Sequence, residues 1–151
     1  MGEQLTATDW LGSLSDAVAS GDVDRVTGLF GDECYWRDLV SMTWNIHTSE
    51  GRDEIGAMLA GVDPAAWPTD IVATSETEGD GIREAWFTFG NATFTGKGHV
   101  RVRDGRAWTV LTSAQALKDH PEPSGRHRIR GAEHGVNVST ENWLDRPPPM
   151  E

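Results

Sequence analysis

The sequence predicts an α+β domain in which three helices cover one face of a cone-shaped, curved antiparallel sheet and enclose a pocket. Two patterns support this fold class. Apolar residues recur at helical spacing early in the chain, and from Thr69 they alternate with polar residues as strands require. The pair Asp104-Gly105, a strong hairpin signal, separates the last two strands. Helices followed by a run of antiparallel strands are typical of this class, and pockets form in the mouths of such cones.

Three helices are predicted before Asp63. Thr8 can cap the first, which Gly21 ends. Asp22 caps a shorter second helix that Gly31 stops, and a third begins at Ser49 and Gly51. Their apolar stripes are Trp10, Leu14, Ala17 and Val18, then Val23, Val26 and Phe30, then Ile55, Met58, Leu59 and Val62.

The strands follow from period-two alternation and from turn residues between the apolar runs. The first begins near Cys34. The others are predicted at Met42–Thr48, Asp70–Thr77, Ile82–Phe89, Ala92–Arg103 and Arg106–Leu117. We therefore expect a domain over residues 1–117 and an extended tail over 118–151, where five of the seven prolines fall.

The composition limits the classes of molecule that the protein can bind. A net charge of −11 opposes binding to nucleic acid or to an anionic membrane surface. Cys34 is the only cysteine, so no disulfide forms within the chain. The first residues lack a basic region followed by an apolar run, and no stretch reaches the ~18 apolar residues of a membrane span. We expect a cytoplasmic protein.

Asp38 is the strongest candidate for chemistry. On a strand it shares a face with Cys34 and Trp36, because strand side chains alternate between faces. A carboxylate among apolar neighbours must be paired, protonated or catalytic. Trp36 supplies the apolar wall that a general base needs. The alternative is a structural carboxylate paired with a helix N-terminus or with an arginine.

Further candidates surround this strand. His47 could act as a proton shuttle or as a hydrogen-bond donor to Asp38, and the alternative is an exposed strand histidine. Asn45 lies on the same strand face as His47. Tyr35 is the sole tyrosine, and its hydroxyl could donate a hydrogen bond to an oxyanion. The alternative is that its ring packs in the core or at a dimer face. The other substrate-binding candidates, for which core packing or exposure is the alternative, are Trp36, Trp86, Trp108 and Gln115.

No metal and no cofactor are expected. His120, His127 and His134 are seven residues apart, whereas metal ligands usually form closer pairs with help from carboxylates or cysteines. The sequence also has no Gly-x-Gly-x-x-Gly turn of the kind that binds dinucleotide phosphates.

One set of motifs consists of Gly21-Asp22-Val23-Asp24, Leu29-Phe30-Gly31-Asp32-Glu33 and Gly51-Arg52-Asp53-Glu54-Ile55. With the order of elements, it resembles the nuclear-transport-factor-2-like superfamily in its SnoaL-like branch, over roughly residues 8–117. That branch includes polyketide cyclases, ketosteroid isomerase and relatives of limonene epoxide hydrolase. The general base of ketosteroid isomerase falls on Asp38. Its two oxyanion-hole donors fall on Leu14 and Gly98, which have no donor in their side chains.

A second set is Tyr35-Trp36-Arg37-Asp38-Leu39, Thr43-Trp44-Asn45-Ile46, Ala107-Trp108-Thr109-Val110-Leu111-Thr112 and, in the tail, Gly131-Ala132-Glu133-His134-Gly135. These segments are similar to the N-terminal domain of bacterial FAD-dependent monooxygenases. In that family the tail leads into a dinucleotide-binding domain. The resemblance implies a stand-alone relative or a detached front end, with a flavoprotein monooxygenase as a partner.

Two functions therefore stay open. The first is cofactor-independent acid/base catalysis, as an isomerase, cyclase, dehydratase or hydrolase, on an apolar carbonyl or polyketide-like substrate. Asp38 and His47 would be its catalytic residues. The second is a non-catalytic module that binds substrate, dimerises or partners a separate FAD-dependent monooxygenase. A homodimer is expected.

Overall fold

A computed structural model describes residues 5–128. The helices are α1 (Ala7–Ser20), α2 (Val23–Thr27) and α3 (Gly51–Ala60), with short 3-10 turns at Pro64–Ala66 and Gly125–His127. The strands are β1 (Phe30–Leu39), β2 (Ile46–Glu50), β3 (Thr69–Gly79), β4 (Ile82–Gly90), β5 (Phe94–Arg103) and β6 (Arg106–Leu117). The α+β class is therefore confirmed.

The chain divides into two units, Met1–Pro121 and Glu122–Glu151. In the described part of the second unit, Arg128 forms an exposed ion pair with Glu122 at 3.6 Å. Among the described residues, no helix has the length and apolar character needed to cross a membrane.

Thr6 caps helix α1, two residues earlier than the predicted cap Thr8. The Thr6 hydroxyl accepts a hydrogen bond from the Asp9 backbone N–H at 3.0 Å, and the Asp9 carboxylate accepts one from the Thr6 N–H at 3.2 Å. This reciprocal pair satisfies two donors that a helix start otherwise leaves free. Thr8 donates its backbone N–H to Glu76 instead, at 2.9 Å.

All six strands form one curved sheet in the order β2-β1-β6-β5-β4-β3. The prediction of an antiparallel sheet is right for every pairing except β1 with β6, which is parallel. The hairpin partner β2 already occupies one edge of β1, so the other edge pairs with the last strand, which runs in the same direction.

The two faces of the sheet differ sharply. The inner face, which α1 and α3 cover, carries buried residues such as Phe87 and Val100. The outer face carries Trp86, Lys97 and Arg101, whose side chains alternate with the buried ones along the same strands.

Aromatic side chains fill the space between the helices and the inner face. Trp10, Trp36 and Phe30 are fully buried. The ring of Phe30 stacks on Trp36 and meets Trp10 edge-on, with centroids 5.7 Å apart in both pairs.

Two glycines of β5 make room for rings of β4. A Cβ on Gly98 would lie 2.2 Å from the Phe87 ring, and one on Gly96 would lie 2.3 Å from the Phe89 ring. A side chain at either position would force the neighbouring ring to shift. Phe87 thus covers Gly98, onto which the resemblance maps an acidic oxyanion-hole donor.

Candidate functional site

Asp38 lies near the end of β1 with no solvent exposure, and its two oxygens accept five hydrogen bonds. Oδ1 accepts from the hydroxyls of Ser41 (2.5 Å) and Thr112 (2.8 Å). Oδ2 accepts from the backbone N–H groups of Met42 (3.0 Å) and Thr43 (2.9 Å) and from the Thr43 hydroxyl (2.9 Å). Among described residues it has no cationic partner within 4.0 Å.

Thr112 connects this carboxylate to the aromatic core. The Trp36 indole N–H donates to the Thr112 hydroxyl at 3.0 Å, and the Thr112 hydroxyl donates onward to Asp38. The connection exists because Asp38 and Thr112 are direct partners in the parallel β1–β6 pairing. Trp36 therefore contacts the Asp38 network through Thr112, and its role as the apolar wall of a site stays a prediction.

Four of the five hydrogen bonds to Asp38, those from Ser41, Met42 and Thr43, hold a tight loop, residues 40–45, between β1 and β2. The Val40 N–H donates to the Asn45 carbonyl at 2.9 Å, and the Trp44 N–H donates to the Val40 carbonyl at 3.0 Å. The predicted strand Met42–Thr48 is wrong in its first half, since β2 begins at Ile46. The Asp38 side chain takes the N–H groups of Met42 and Thr43 that a strand would have used.

This loop is strained. Val40 (φ 73°) and Trp44 (φ 58°) both adopt the left-handed backbone region, which is an outlier for a β-branched residue. Asn91 adds a second anchor, because its buried amide donates to the Ser41 carbonyl at 2.7 Å. Such strain persists only where the surroundings over-determine it, and it clusters at functional sites.

The loop places Trp44 at the rim of the sheet. The side chain is 65% exposed, and its ring centroid lies 4.9 Å from that of Phe94. Phe94 lines an adjoining cleft of about 250 Å³, which we call the mouth cleft. Its lining residues are Val40, Phe94, Ala114, Gln115, Ala116 and Leu117.

His47 and Asn45 do not join the Asp38 network. His47 pairs with Asp38 in the β1–β2 register, but its side chain is exposed and shares no hydrogen bond with the carboxylate. Asn45 is exposed, and its side-chain oxygen accepts from the next backbone N–H, that of Ile46, at 2.8 Å. The structure thus separates the two predicted catalytic residues, whose catalytic roles stay predictions.

Trp86 and Trp108 lie on the outer face, whereas Trp36 lies on the inner one, so the three do not line one cavity. Trp86 is 43% exposed and packs on His99 with centroids 4.6 Å apart. Trp108 lies under the Arg103 guanidinium at 4.6 Å from its ring centroid, in a strand segment with a register shift. A shift of this kind changes the face on which a side chain projects.

Trp108 borders a cleft of about 450 Å³ at the β5–β6 hairpin. Its buried indole N–H has no hydrogen-bond partner within residues 5–128. Arg103, on the same wall, pairs with Glu33 at 3.3 Å. The cleft is lined mostly by charged side chains, and none of the other predicted site residues borders it.

Tyr35 also faces outward, since it alternates with the buried Trp36. Its hydroxyl donates to the Glu33 carboxylate at 3.3 Å, and the negative charge of Glu33 is the main cause that raises the pKa of Tyr35. Tyr35 therefore keeps its proton and does not reach Asp38. Burial raises the pKa of the Cys34 thiol, which keeps that side chain uncharged.

No group of three or more possible metal-ligating side chains occurs within residues 5–128. His120 and His127 are exposed. His134 lies outside the described residues, so the spacing argument made from the sequence stays a prediction.

Sequence reasoning missed the residues that build the rim. Trp44 and Phe94 meet only because loop 40–45 turns back, and Asn91 anchors that loop from a distant turn. The only available signal was the tryptophan itself, a large apolar residue beside polar turn residues. Of the predicted site residues, Gln115 is the one that lines the mouth cleft.

No family model and no curated protein sequence matches this chain. Solved structures do match it. A protein of unknown function with a cystatin-like fold from Nostoc punctiforme has a TM-score of 0.57 at 11% identity, covering 74% of this chain and 76% of its own. An NTF2-like protein of unknown function from Cytophaga hutchinsonii has a TM-score of 0.52 at 11% identity, covering 76% and 95%.

A third structure is a hypothetical protein from Catenulispora acidiphila with a ketosteroid isomerase-like fold, in complex with trimethylamine. Its TM-score is 0.53 at 13% identity, and the match covers 73% of this chain and 88% of the other. At such identities the likeness concerns the fold alone. The chain has the nuclear-transport-factor-2-like fold that the sequence motifs indicated.

Proposed function

We propose that this chain is a binding module for an apolar small molecule and that the ligand occupies the mouth cleft beside Trp44. The cleft has apolar walls from Val40, Phe94 and Leu117, with Gln115 as a polar group at its edge. Apolar walls with few polar groups are typical of small-molecule sites. The neighbour that is described in complex with trimethylamine is consistent with this use of the fold.

The observation that carries the proposal is an exposed tryptophan on a rigid, strained loop. An apolar ring this exposed gains little from burial in the free protein. Four hydrogen bonds from loop residues to Asp38 nevertheless fix the loop that presents it, in spite of the strained backbone at Val40. A fixed aromatic ring binds a ligand with little loss of conformational entropy.

In this proposal Asp38 is a structural residue. A general base must reach the proton that it abstracts within about 3 Å. Both oxygens of Asp38 already accept from donors of the protein, and the side chain has no exposed surface. Asp38 therefore positions the loop that carries Trp44.

Acid/base catalysis on an apolar carbonyl substrate is the second candidate. One observation favours it: a carboxylate is buried beside a tryptophan without a cation among the described residues. Catalysis would require Ser41 and Thr112 to release Oδ1 and open a path to it. An isomerase, cyclase, dehydratase or hydrolase activity that the Asp38→Asn variant loses by at least ~100-fold, with its fold intact, would select this candidate.

Titration calorimetry with decan-1-ol tests the binding proposal, because this ligand is apolar and uncharged. We expect saturable binding, and we expect Trp44→Ala to weaken it at least about tenfold. Val72→Ala is the control, since Val72 is an exposed apolar residue outside the mouth cleft. Equal affinities for wild type and Trp44→Ala would reject the mouth cleft as the site.

We also propose that the chain forms a homodimer through the outer face and that it binds a flavoprotein monooxygenase. The outer face supports the first, because Trp86 is exposed there and Tyr35 and Trp108 are only partly buried. Only the motif resemblance supports the second. Sedimentation velocity tests the dimer, and capture of a FAD-containing monooxygenase tests the partner. The cytoplasmic location stays a prediction.

A further inference from the structure

We propose that a second cleft beside the mouth cleft binds the carboxylate of an amphipathic ligand through Lys97 and Lys118. This inference rests on the proposed function, because the apolar body of the same ligand would occupy the mouth cleft. The residues that line the second cleft, which we call the lysine cleft, are Asp70, Thr88, Phe89, Gly90, Thr95, Gly96, Lys97, Gln115 and Lys118.

Both lysines of the chain lie at the same cleft. The chain contains only two, Lys97 and Lys118, and both line this one cleft of about 480 Å³. Neither forms an ion pair with a described residue. A protein of net charge −11 repels anions over most of its surface, so a local pair of ammonium groups creates an exception.

Each lysine side chain has a close neighbour in the fold. Lys97 extends over the ring of Trp86, with Nζ 4.9 Å from the ring centroid. The backbone N–H of Lys118 donates to the Thr93 carbonyl at 2.9 Å. The side chain of Lys118 reaches Gly90, where its Nζ lies 3.3 Å from the position that a Cβ would take. A neighbour restricts the conformations of a long side chain. Such a side chain loses less conformational entropy when an anion binds to it.

Gln115 connects the lysine cleft to the mouth cleft, because it lines both. On β6 it lies between Ala114 and Ala116, which pair with Gly96 and Thr95, so Gln115 itself has no partner on β5. An unpaired residue of this kind is a bulge, which redirects a side chain. Its amide donates to Ser113 at 3.2 Å and keeps a second N–H for a ligand.

The charge of the cleft selects the anion. Asp70 also lines it, so two lysines and one carboxylate give a formal charge of +1. Asp70 pairs with neither lysine within 4.0 Å. A single positive charge matches a carboxylate better than a doubly charged phosphate, since a dianion would add repulsion from Asp70. The ligand class is therefore an apolar monocarboxylate.

The experiment compares decanoate with decan-1-ol, which share an apolar chain and differ in the charged group. Titration calorimetry is run on wild type, on the double variant Lys97→Gln/Lys118→Gln, and on Arg106→Gln. Arg106 is an exposed arginine that lines the other charged cleft, and it forms no ion pair with a described residue. It controls for the general loss of positive charge.

We expect wild type and Arg106→Gln to bind decanoate about tenfold more tightly than decan-1-ol, as two partly exposed ion pairs allow. The double variant loses this preference and retains its affinity for decan-1-ol. Raising the salt concentration weakens only the binding of decanoate to the lysine-containing proteins.

Equal affinity of wild type for both ligands would overturn the carboxylate site and leave the apolar site intact. Lysine-dependent binding of decanoate with no binding of decan-1-ol would overturn the apolar site and leave an anion site. Binding of neither ligand would overturn both. If the double variant loses a dimer in sedimentation but keeps its affinity for decanoate, the lysines serve a second copy of the chain, and the inference fails.

Discussion

The Thr112 hydroxyl donates a hydrogen bond to Asp38 Oδ1 at 2.8 Å across the parallel pairing of β1 and β6. The same hydroxyl accepts from the Trp36 indole at 3.0 Å. One side chain thus satisfies a buried donor and a buried acceptor at once. Replacing Thr112 by Val leaves the indole N–H without a partner, and we expect a loss of about 2 kcal/mol in unfolding free energy.

Thr112→Ser is the matched control, because it keeps the hydroxyl and removes one methyl group. Urea denaturation of the two variants measures the difference. A Thr112→Val protein as stable as Thr112→Ser would show that the network from Trp36 to Asp38 contributes nothing to stability.

Substitutions at Asp38 separate the hydroxyl donors from the backbone donors. Ser41 and Thr112 can rotate their hydroxyls to accept from an amide, whereas the N–H groups of Met42 and Thr43 cannot. We expect Asp38→Asn, with its carbonyl toward Met42, to cost about 1 kcal/mol, and Asp38→Ala about 3 kcal/mol. Denaturant unfolding checks the order, and equal losses would contradict it.

Alanine at Gly96 or Gly98 tests how tightly the inner face is packed. We expect each substitution to cost about 2 kcal/mol or more, because the new Cβ overlaps a phenylalanine ring. Phe89→Leu should partly restore the stability of Gly96→Ala, since the nearest atoms there all belong to the Phe89 ring.

The same rescue fails at Gly98. A Cβ at that position also lies 2.7 Å from the backbone carbonyl oxygen of Leu111, which cannot move aside as a ring can. We expect Phe87→Leu to restore little of the stability lost in Gly98→Ala. Full rescue, seen in thermal melts of the double variant, would contradict the packing described here.

His99 makes stability depend on pH. Burial lowers its pKa below the ordinary value of 6.5, with a smaller opposing effect from Glu84 and a further lowering by Arg101. As the pH falls through 6.5, His99 takes up a proton in the unfolded chain before it does so in the folded protein. The contribution of neutral His99 to the free energy of unfolding is therefore fully present above pH 6.5 and is lost as the pH falls below it.

We therefore expect His99→Gln to lose less stability between pH 7 and pH 5 than wild type does. Glu84→Gln should lose more, because the charge that favours protonated His99 is gone. Urea titrations at several pH values measure these slopes. Parallel profiles for all three proteins would remove His99 from the pH response.

The sequence was sufficient for the fold class and for most of the regular elements, although Phe30, predicted on the second helix, begins β1. The apolar stripe of α1 and the alternation along β4 and β5 are local patterns that reflect burial directly. The parallel pairing of β1 with β6 is not local, since it depends on which sheet edge stays open after the β1–β2 hairpin forms. No pattern in either strand records it.

Local sequence patterns could not predict the structure at the rim of the sheet, for a similar reason. Met42–Asn45 have the composition of a strand, but the Asp38 carboxylate takes their backbone donors and forces a loop. That loop brings Trp44 against Phe94. The face on which Trp108 lies depends on a register shift that alternation alone cannot predict.

The most direct test of the binding proposal uses the indole N–H signals of ¹⁵N-labelled protein during titration with decan-1-ol. We predict a large, saturable shift for Trp44, which lies beside the mouth cleft, and almost none for the buried indoles of Trp10 and Trp36. Shifts at Trp10 and Trp36 with an unchanged Trp44 would place the ligand between the helices and the sheet and would contradict the account.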